Sequence, residues 1–319
     1  MRVVFLGTPH FALPSLQVLV RSSYEVCAVF TQPDRPAGRG LKAQSSPVKR
    51  FAEASKIPVY QPQRIRSEEN RPLLESFKPD FLVVVAFGQI LPRWLLELPS
   101  NAPVNVHASL LPSYRGAAPV AWTILNGDSA AGVTTMLMEE TLDTGPILLQ
   151  RRVPFPPEIT CGELEERLAE AGSELLIPTL EGLRMGTLQP SPQDTSKATL
   201  APKITKEMAE ISWDDPAIKI HNQIRALNPW PVACTIFDGQ RLRIHRSLPA
   251  TTPGQARTDA PGSIAALTQR GMQVWCGQGT LLELLEMQLP GRKRVSGRDF
   301  ANGARLVPGE NPFTWGLRG

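Results

Sequence analysis

The chain has 319 residues, 42% of them hydrophobic, which is more than one core commonly organises, so two domains or one large domain are expected. No apolar run approaches the roughly 20 residues of a membrane-spanning helix, and the opening MRVVFLG block is short and broken by Gly7 and Pro9, so neither a signal peptide nor a membrane partner is expected. The net charge of +4 is unevenly spread: from Lys203 onward there are 15 Lys/Arg against 10 Asp/Glu, whereas residues 1–202 carry 19 against 20, which directs any polyanionic partner to the C-terminal third.

In chain order, RVVFLG predicts a strand ending in glycine, FALPSLQVLVRS an amphipathic helix and EVCAVFTQ a second strand, together a βαβ unit. SEENRPLLESFKPD predicts a helix, and FLVVVAFG lacks alternation, as a strand buried on both faces of a parallel sheet does. A strand at NVHASLLP, a helix at AAPVAWTILNGD, a strand at GVTTMLMEE and a long helix at 159–186, bent at Pro178, complete a doubly wound, Rossmann-like, mostly parallel α/β domain over 1–189. Residues 190–207 read as a proline-rich spacer. Over 208–319, AIKIHNQIRALNP predicts a helix and CTIFDGQRLRIHRS two strands about an Asp238-Gly239 turn. GSIAAL, GMQVWC and TLLELLEMQLP continue as short strands, so a small OB-like β-barrel is expected, with TTPGQARTDAPG as a surface loop.

The four cysteines and four histidines are scattered, without C-x-x-C or paired spacing, so no metal site and no disulfide framework are expected, and a reducing cytoplasm is the natural compartment. Chemistry concentrates instead in Asn105-Val106-His107-Ala108-Ser109-Leu110-Leu111-Pro112, at a strand end. Alternation places Asn105 and His107 on one side of that strand, an amide donor for a developing oxyanion beside an imidazole that exchanges protons near neutral pH. Asp143 follows in the turn-rich TLDTGP, where a carboxylate can orient a histidine or merely cap a turn. The loop Asp34–Lys42 gathers three cations with two glycines and a proline, and Arg292, Lys293, Arg294 and Arg298 form a second basic cluster; each by itself reads first as a solvated surface.

N-x-H-x-S-L-L-P, then R-G-A-A-P, then L-D-T-G-P about thirty residues later resembles the formyltransferases that use 10-formyltetrahydrofolate. FLGTPHFALPSL, TQPDRPAGRG, VVVAFGQILP, RALNPWP and GRKRVSGRDF extend the resemblance over Arg2 to about Arg305, to the branch acting on methionyl-tRNA. The resemblance implies catalytic roles for Asn105, His107 and Asp143: an aminoacyl amine attacks the formyl carbon, Asn105 and protonated His107 stabilise the oxyanion, and Asp143 fixes His107 and assists proton movement. It implies folate contacts at Ser109, Leu110, Leu111 and Pro112, with Phe87, Gly88, Ile90 and Leu91 at the pterin end. It also implies initiator methionyl-tRNA as partner, met by Arg39 and Lys42 of the first basic loop and by Arg292, Lys293 and Arg294, with the protein acting as a monomer.

Formyltransferases acting on glycinamide ribonucleotide or on a nucleotide-linked amino sugar share the catalytic pattern, and a tRNA-binding protein that keeps only the fold is a further alternative. A nicotinamide-dependent oxidoreductase is disfavoured, because Gly7-Thr8-Pro9-His10-Phe11-Ala12 lacks G-x-G-x-x-G, and Pro9 and Phe11 obstruct a pyrophosphate.

Overall fold

A computed structural model describes residues 1–37, 42–251 and 259–314. The chain begins with β1 (Arg2–Gly7), α1 (Leu13–Arg21), β2 (Glu25–Phe30), β3 (Arg35–Ala37), β4 (Lys42–Gln44), α2 (Pro47–Ala54), β5 (Val59–Tyr60), α3 (Arg71–Ser76), β6 (Phe81–Val85), α4 (Arg93–Leu96) and β7 (Ala102–His107). It continues through β8 (Arg115–Gly116), α5 (Pro119–Leu125), β9 (Ala130–Leu137), β10 (Ile147–Pro154), α6 (Cys161–Arg184) and β11 (Leu200–Ala201). The remainder comprises α7 (Ala217–Ala226), β12 (Cys234–Phe237), β13 (Gln240–Ala250), β14 (Ile264–Leu267), β15 (Met272–Cys276), β16 (Thr280–Gln288), β17 (Val295–Ser296), α8 (Gly297–Ala304) and β18 (Phe313–Thr314). Met1–Pro119, Ala130–Pro154 and Glu165–Pro202 form one compact unit; Val120–Ser129, Phe155–Leu164 and the chain from Lys203 form the other.

The first unit is built on a sheet of order β10-β9-β7-β6-β1-β2-β5. It is parallel from β5 to β7 and antiparallel at β9 and β10. The apolar run of β6 is buried along its whole length, as its lack of alternation predicts. The chain winds from β1 outward through β2 and β5, then returns to the other side of β1 at β6 and β7. The topological switch point therefore lies between β1 and β6, where an open α/β sheet leaves a crevice at the carboxyl ends of its strands. Gly7 is required there by packing: a Cβ would lie 2.8 Å from the Ala12 Cβ and 3.0 Å from the Val85 carbonyl. That close approach, not a phosphate-binding turn, explains the glycine at the end of β1.

The second unit is an antiparallel sheet of order β14-β15-β16-β13-β12-β18, with β17 on β16, compatible with the expected small barrel. Asp238 and Gly239 both adopt positive φ (47° and 68°), the backbone of a tight hairpin turn between β12 and β13. Ile220 and Ile224 of α7 and Phe300 of α8 join Leu242, Ile244, Val274, Leu282 and Leu284 in one core.

Several elements escape the sequence pattern. β10 is exposed from Gln150 to Arg152, so its apolar run stops after Leu149; backbone pairing with β9 makes the rest a strand. α2 begins at Pro47 behind a Ser46 cap whose hydroxyl accepts from Lys49 N at 3.1 Å, a start signal hidden behind a basic loop. The base of that loop is an antiparallel ribbon of β3 and β4. Much of 190–202, expected as spacer, is bonded to the first unit: Ser191 bridges Ile147, and β11 pairs in parallel with β8. A proline-rich segment reads as free because its donors and acceptors find partners far away in sequence.

Candidate active site

β7 ends at the edge of the sheet beside the switch point, and its last residues carry the two groups singled out above. Asn105 stands opposite Val84 of β6 and Met136 of β9, and His107 opposite Thr134 of β9. Between them Val106 points away, towards α6, where Gly172 admits it: a Cβ on Gly172 would meet Val106 Cγ1 at 2.7 Å. Apolar packing on one face thus presents Asn105 and His107 together on the other. Asn105 is 9% exposed, and among the described residues its amide has no hydrogen-bond partner, leaving its donors available to an incoming oxygen.

The His107 Nε2 lies 3.0 Å from the Tyr114 carbonyl. A carbonyl only accepts, so Nε2 carries the proton and donates. Nδ1 faces Asp143, 3.7 Å from Oδ1, with both side chains only 8% exposed. That gap is too long for a hydrogen bond but close enough for electrostatic interaction in a buried setting. The Asp143 Oδ2 accepts from Gly116 N at 2.8 Å.

The turn carrying Asp143 is tightly determined. Asp143 has φ 54° and Tyr114, whose carbonyl accepts from His107 Nε2, has φ 61°. Both are non-glycine residues in the left-handed region, a strain that surrounding structure must hold. A Cβ on Gly145 would lie 1.9 Å from the Leu137 carbonyl, so only glycine lets the turn close against the end of β9. Gln193 Nε2 donates to the carbonyls of Asp143 (2.8 Å) and Gly145 (2.7 Å).

The loop after His107 is anchored by side chains that sequence reasoning missed. Thr134 Oγ1 donates to the Ser109 carbonyl (2.6 Å) and accepts from Leu111 N (3.1 Å). Gln150 Nε2 donates to the Leu111 carbonyl (2.8 Å) and to Thr134 Oγ1 (2.9 Å). Ser109 Oγ donates to the Ser113 carbonyl at 2.6 Å, and the Leu111–Pro112 bond is cis. Leu110 lies over Gly132, where a Cβ would meet its Cδ2 at 2.3 Å. Ser109, Leu110, Leu111 and Pro112 therefore form a fixed rim to the site.

Phe87, Gly88, Ile90 and Leu91 follow β6, the neighbour of β7, and emerge at the same sheet edge. Phe87 and Leu91 are buried, whereas Ile90 is 74% exposed, an apolar side chain left in solvent. The Phe87 carbonyl accepts from Gln32 Nε2 (3.1 Å) and Thr8 Oγ1 (3.3 Å), which ties this loop to the ends of β1 and β2. Gly88 has φ 83°, open to glycine.

Of the basic candidates, Arg39 lies outside the described residues and Lys42 is placed only as the first residue of β4. The ribbon's base is held by Asp34, whose Oδ2 accepts from Lys49 Nζ (2.7 Å) and whose Oδ1 accepts from Gln61 Nε2 (2.8 Å). These bonds, Lys49 foremost, hold the Asp34 carboxyl below its usual range. Arg292, Lys293 and Arg294 are exposed in the turn between β16 and β17, and Arg294 lies 3.6 Å from Glu286. Among the described residues no cluster of three or more His, Cys, Asp or Glu has metal-binding geometry, and no helix is long and apolar enough to cross a membrane.

An unpartnered amide, a histidine and a buried carboxylate meet at the carboxyl end of a doubly wound sheet, groups whose chemistry can serve acyl transfer, and the chain belongs to the formyl transferase family: the family's N-terminal model matches residues 1–180 and its C-terminal domain model residues 203–305. Within that family it groups with the methionyl-tRNA formyltransferases. It is 49% identical to that of Solibacter usitatus, covering 97% of this chain and 98% of the relative, and 47% identical to that of Trichlorobacter lovleyi, covering 97% and 96%. Among solved structures, a sugar 3N-formyl transferase crystallised in the presence of dTDP and 5-N-formyl-THF matches with a TM-score of 0.67 at 18% identity, over 92% of this chain and 99% of that one. An N-formyltransferase from Helicobacter canadensis in complex with folinic acid and dTDP-3-aminofucose matches at 0.65 and 18%, over 89% and 98%. At that identity these two share the fold.

Proposed function

We propose that this enzyme transfers the formyl group of 10-formyltetrahydrofolate to the α-amine of methionine on initiator methionyl-tRNA. The observation that carries the chemistry is the unpartnered Asn105 amide beside the His107–Asp143 pair at the carboxyl end of β7. As the amine nitrogen bonds to the formyl carbon, the formyl oxygen gains negative charge and meets the Asn105 amide, a donor contribution worth roughly 3 kcal/mol in other acyl-transfer sites. His107 joins it by exchanging the Tyr114 carbonyl for that oxygen, trading a neutral acceptor for a charged one. Asp143 faces the ring's second nitrogen and receives the proton the amine must shed, which passes to the folate nitrogen as the carbon–nitrogen bond to the donor breaks.

The residues suit a folate: the rim of Ser109, Leu110, Leu111 and Pro112 and the Phe87–Leu91 loop give an apolar edge with backbone polar groups, the surface a flat heteroaromatic ring requires. The tRNA assignment rests on the relatives' shared activity over the full chain and on the basic excess after Lys203. Arg39 and Lys42 are proposed to meet the acceptor end, with Arg292, Lys293 and Arg294 on backbone phosphates. The test is a transfer assay with 10-formyltetrahydrofolate and a choice of acceptors: methionyl-tRNA, glycinamide ribonucleotide and a nucleotide-linked amino sugar. Formyl-methionyl-tRNA is the expected product; transfer to either other amine and none to methionyl-tRNA overturns the reading.

A further inference from the structure

The carboxylate of Asp143 is held by more than its own loop. Gln193 Nε2 bridges the Asp143 and Gly145 carbonyls, so one amide spans both ends of the turn. Its Oε1 accepts from Arg115 Nε (3.1 Å) and Nη2 (2.7 Å). Arg115 precedes Gly116, whose N–H grips the Asp143 Oδ2. The bonds close a ring: from Gln193 to the Asp143 backbone, through its carboxylate to Gly116, and through Arg115 back to Gln193.

The pairing of β11 with β8 fastens this ring to 190–202, with Thr199 accepting from Arg115 N at 2.8 Å and Ala201 packed against Gly116. A Cβ on Gly116 would stand 2.6 Å from the Ala201 carbonyl, so β8 and β11 meet without slack. The turn needs such a holder. Leu142, beside the carboxylate, is 65% exposed, and Asp143 keeps a positive φ that apolar packing does not enforce. Only a side chain with two N–H donors and an acceptor can satisfy two carbonyls and a guanidinium at once; glutamate has no donor to offer.

We infer that Gln193 is a positioning residue for Asp143, fixing the carboxylate against His107 from a segment outside the catalytic motifs. The inference rests on the catalytic assignment of Asp143 proposed above. The test uses the full chain with Gln193→Ala and Gln193→Glu in steady-state transfer to methionyl-tRNA. Expected is a fall in kcat of about tenfold for alanine and at least as much for glutamate, with KM for both substrates within about twofold. Glutamate preserves size and the bond to Arg115 but turns acceptors towards two carbonyls, so it separates orientation of Asp143 from support of Arg115.

A kcat within about twofold of the unsubstituted enzyme for either variant, or a loss confined to KM, overturns the inference. Should alanine lower the thermal midpoint sharply, the glutamate variant, with its size and one anchor retained, decides alone. If the unsubstituted enzyme formylates another amine, the substrate reading fails while the same kcat comparison with that amine still tests Gln193.

Discussion

Gly145→Ala offers a direct measure of how closely the Asp143 turn must be placed. The added methyl would begin 1.9 Å from the Leu137 carbonyl, whereas real Cβ atoms essentially never approach a neighbour within 3.0 Å, so turn and strand must part by about 1 Å. Leu137 ends a strand paired on both sides, so the turn is the part that yields. A displacement of that size at a reacting group costs about 100-fold in rate, ~2.7 kcal/mol of barrier. Overpacking adds roughly 1–3 kcal/mol of destabilisation, and a domain of this size loses roughly 2–4 °C of thermal midpoint per kcal/mol. The expected variant is folded, slightly less heat-stable, binds both substrates with nearly unchanged KM and turns over about 100-fold more slowly. Gly303→Ala is the companion control, because nothing lies within 4 Å of a Cβ there in α8. It should leave kcat unchanged and raise stability by roughly 0.5–1 kcal/mol. A Gly145→Ala enzyme with kcat within about threefold of its parent would refute the placement argument.

Asn105→Ala should lower kcat by roughly 100- to 1000-fold while leaving the KM for folate close to its starting value, as measured by initial rates; a loss carried mainly by KM points to ground-state binding instead. Neutralising Arg292, Lys293 and Arg294 to glutamine should raise KM for tRNA and flatten its dependence on salt, and an unchanged salt slope removes this turn from the interface. Asp80 is held below its ordinary carboxyl value chiefly by the Arg2 backbone N–H, 2.7 Å from Oδ2, with Ser100 on Oδ1. A depressed folded-state value contributes stability above the unfolded value near 3.8 that disappears as pH falls through the folded one. Asp80→Asn should therefore cost about 1 kcal/mol at pH 7, with the gap in urea midpoints closing at acid pH; a gap constant down to about pH 3 contradicts the assignment.

Local pattern made much of this molecule legible. The unbroken apolar run at Phe81–Val85, the one-sided pair Asn105 and His107, and the Asp238-Gly239 turn each follow from a period or a backbone requirement written within a few residues. What escaped depends on partners distant in sequence. β10 is a strand because β9 offers it a ladder, and Thr134 and Gln150 shape the loop after His107 by bonds that no short window contains. Asp143 reads locally as a turn residue; its neighbourhood with His107 appears only when the ends of β7 and β9 are side by side.

The docking of residues 190–202 bears on how this family is cut and joined. The two family models leave 181–202 to neither part, yet that strip carries Gln193 and β11. A chimera joined near residue 189 would give the recipient a foreign brace for its own carboxylate, and a fragment ending there would lack one altogether. Exchange of C-terminal parts between relatives is better made after Pro202, which keeps Glu165–Pro202 with the rest of the first unit. Activity lost in a swap made further upstream reports a disturbed Asp143 turn as readily as a mismatched tRNA surface.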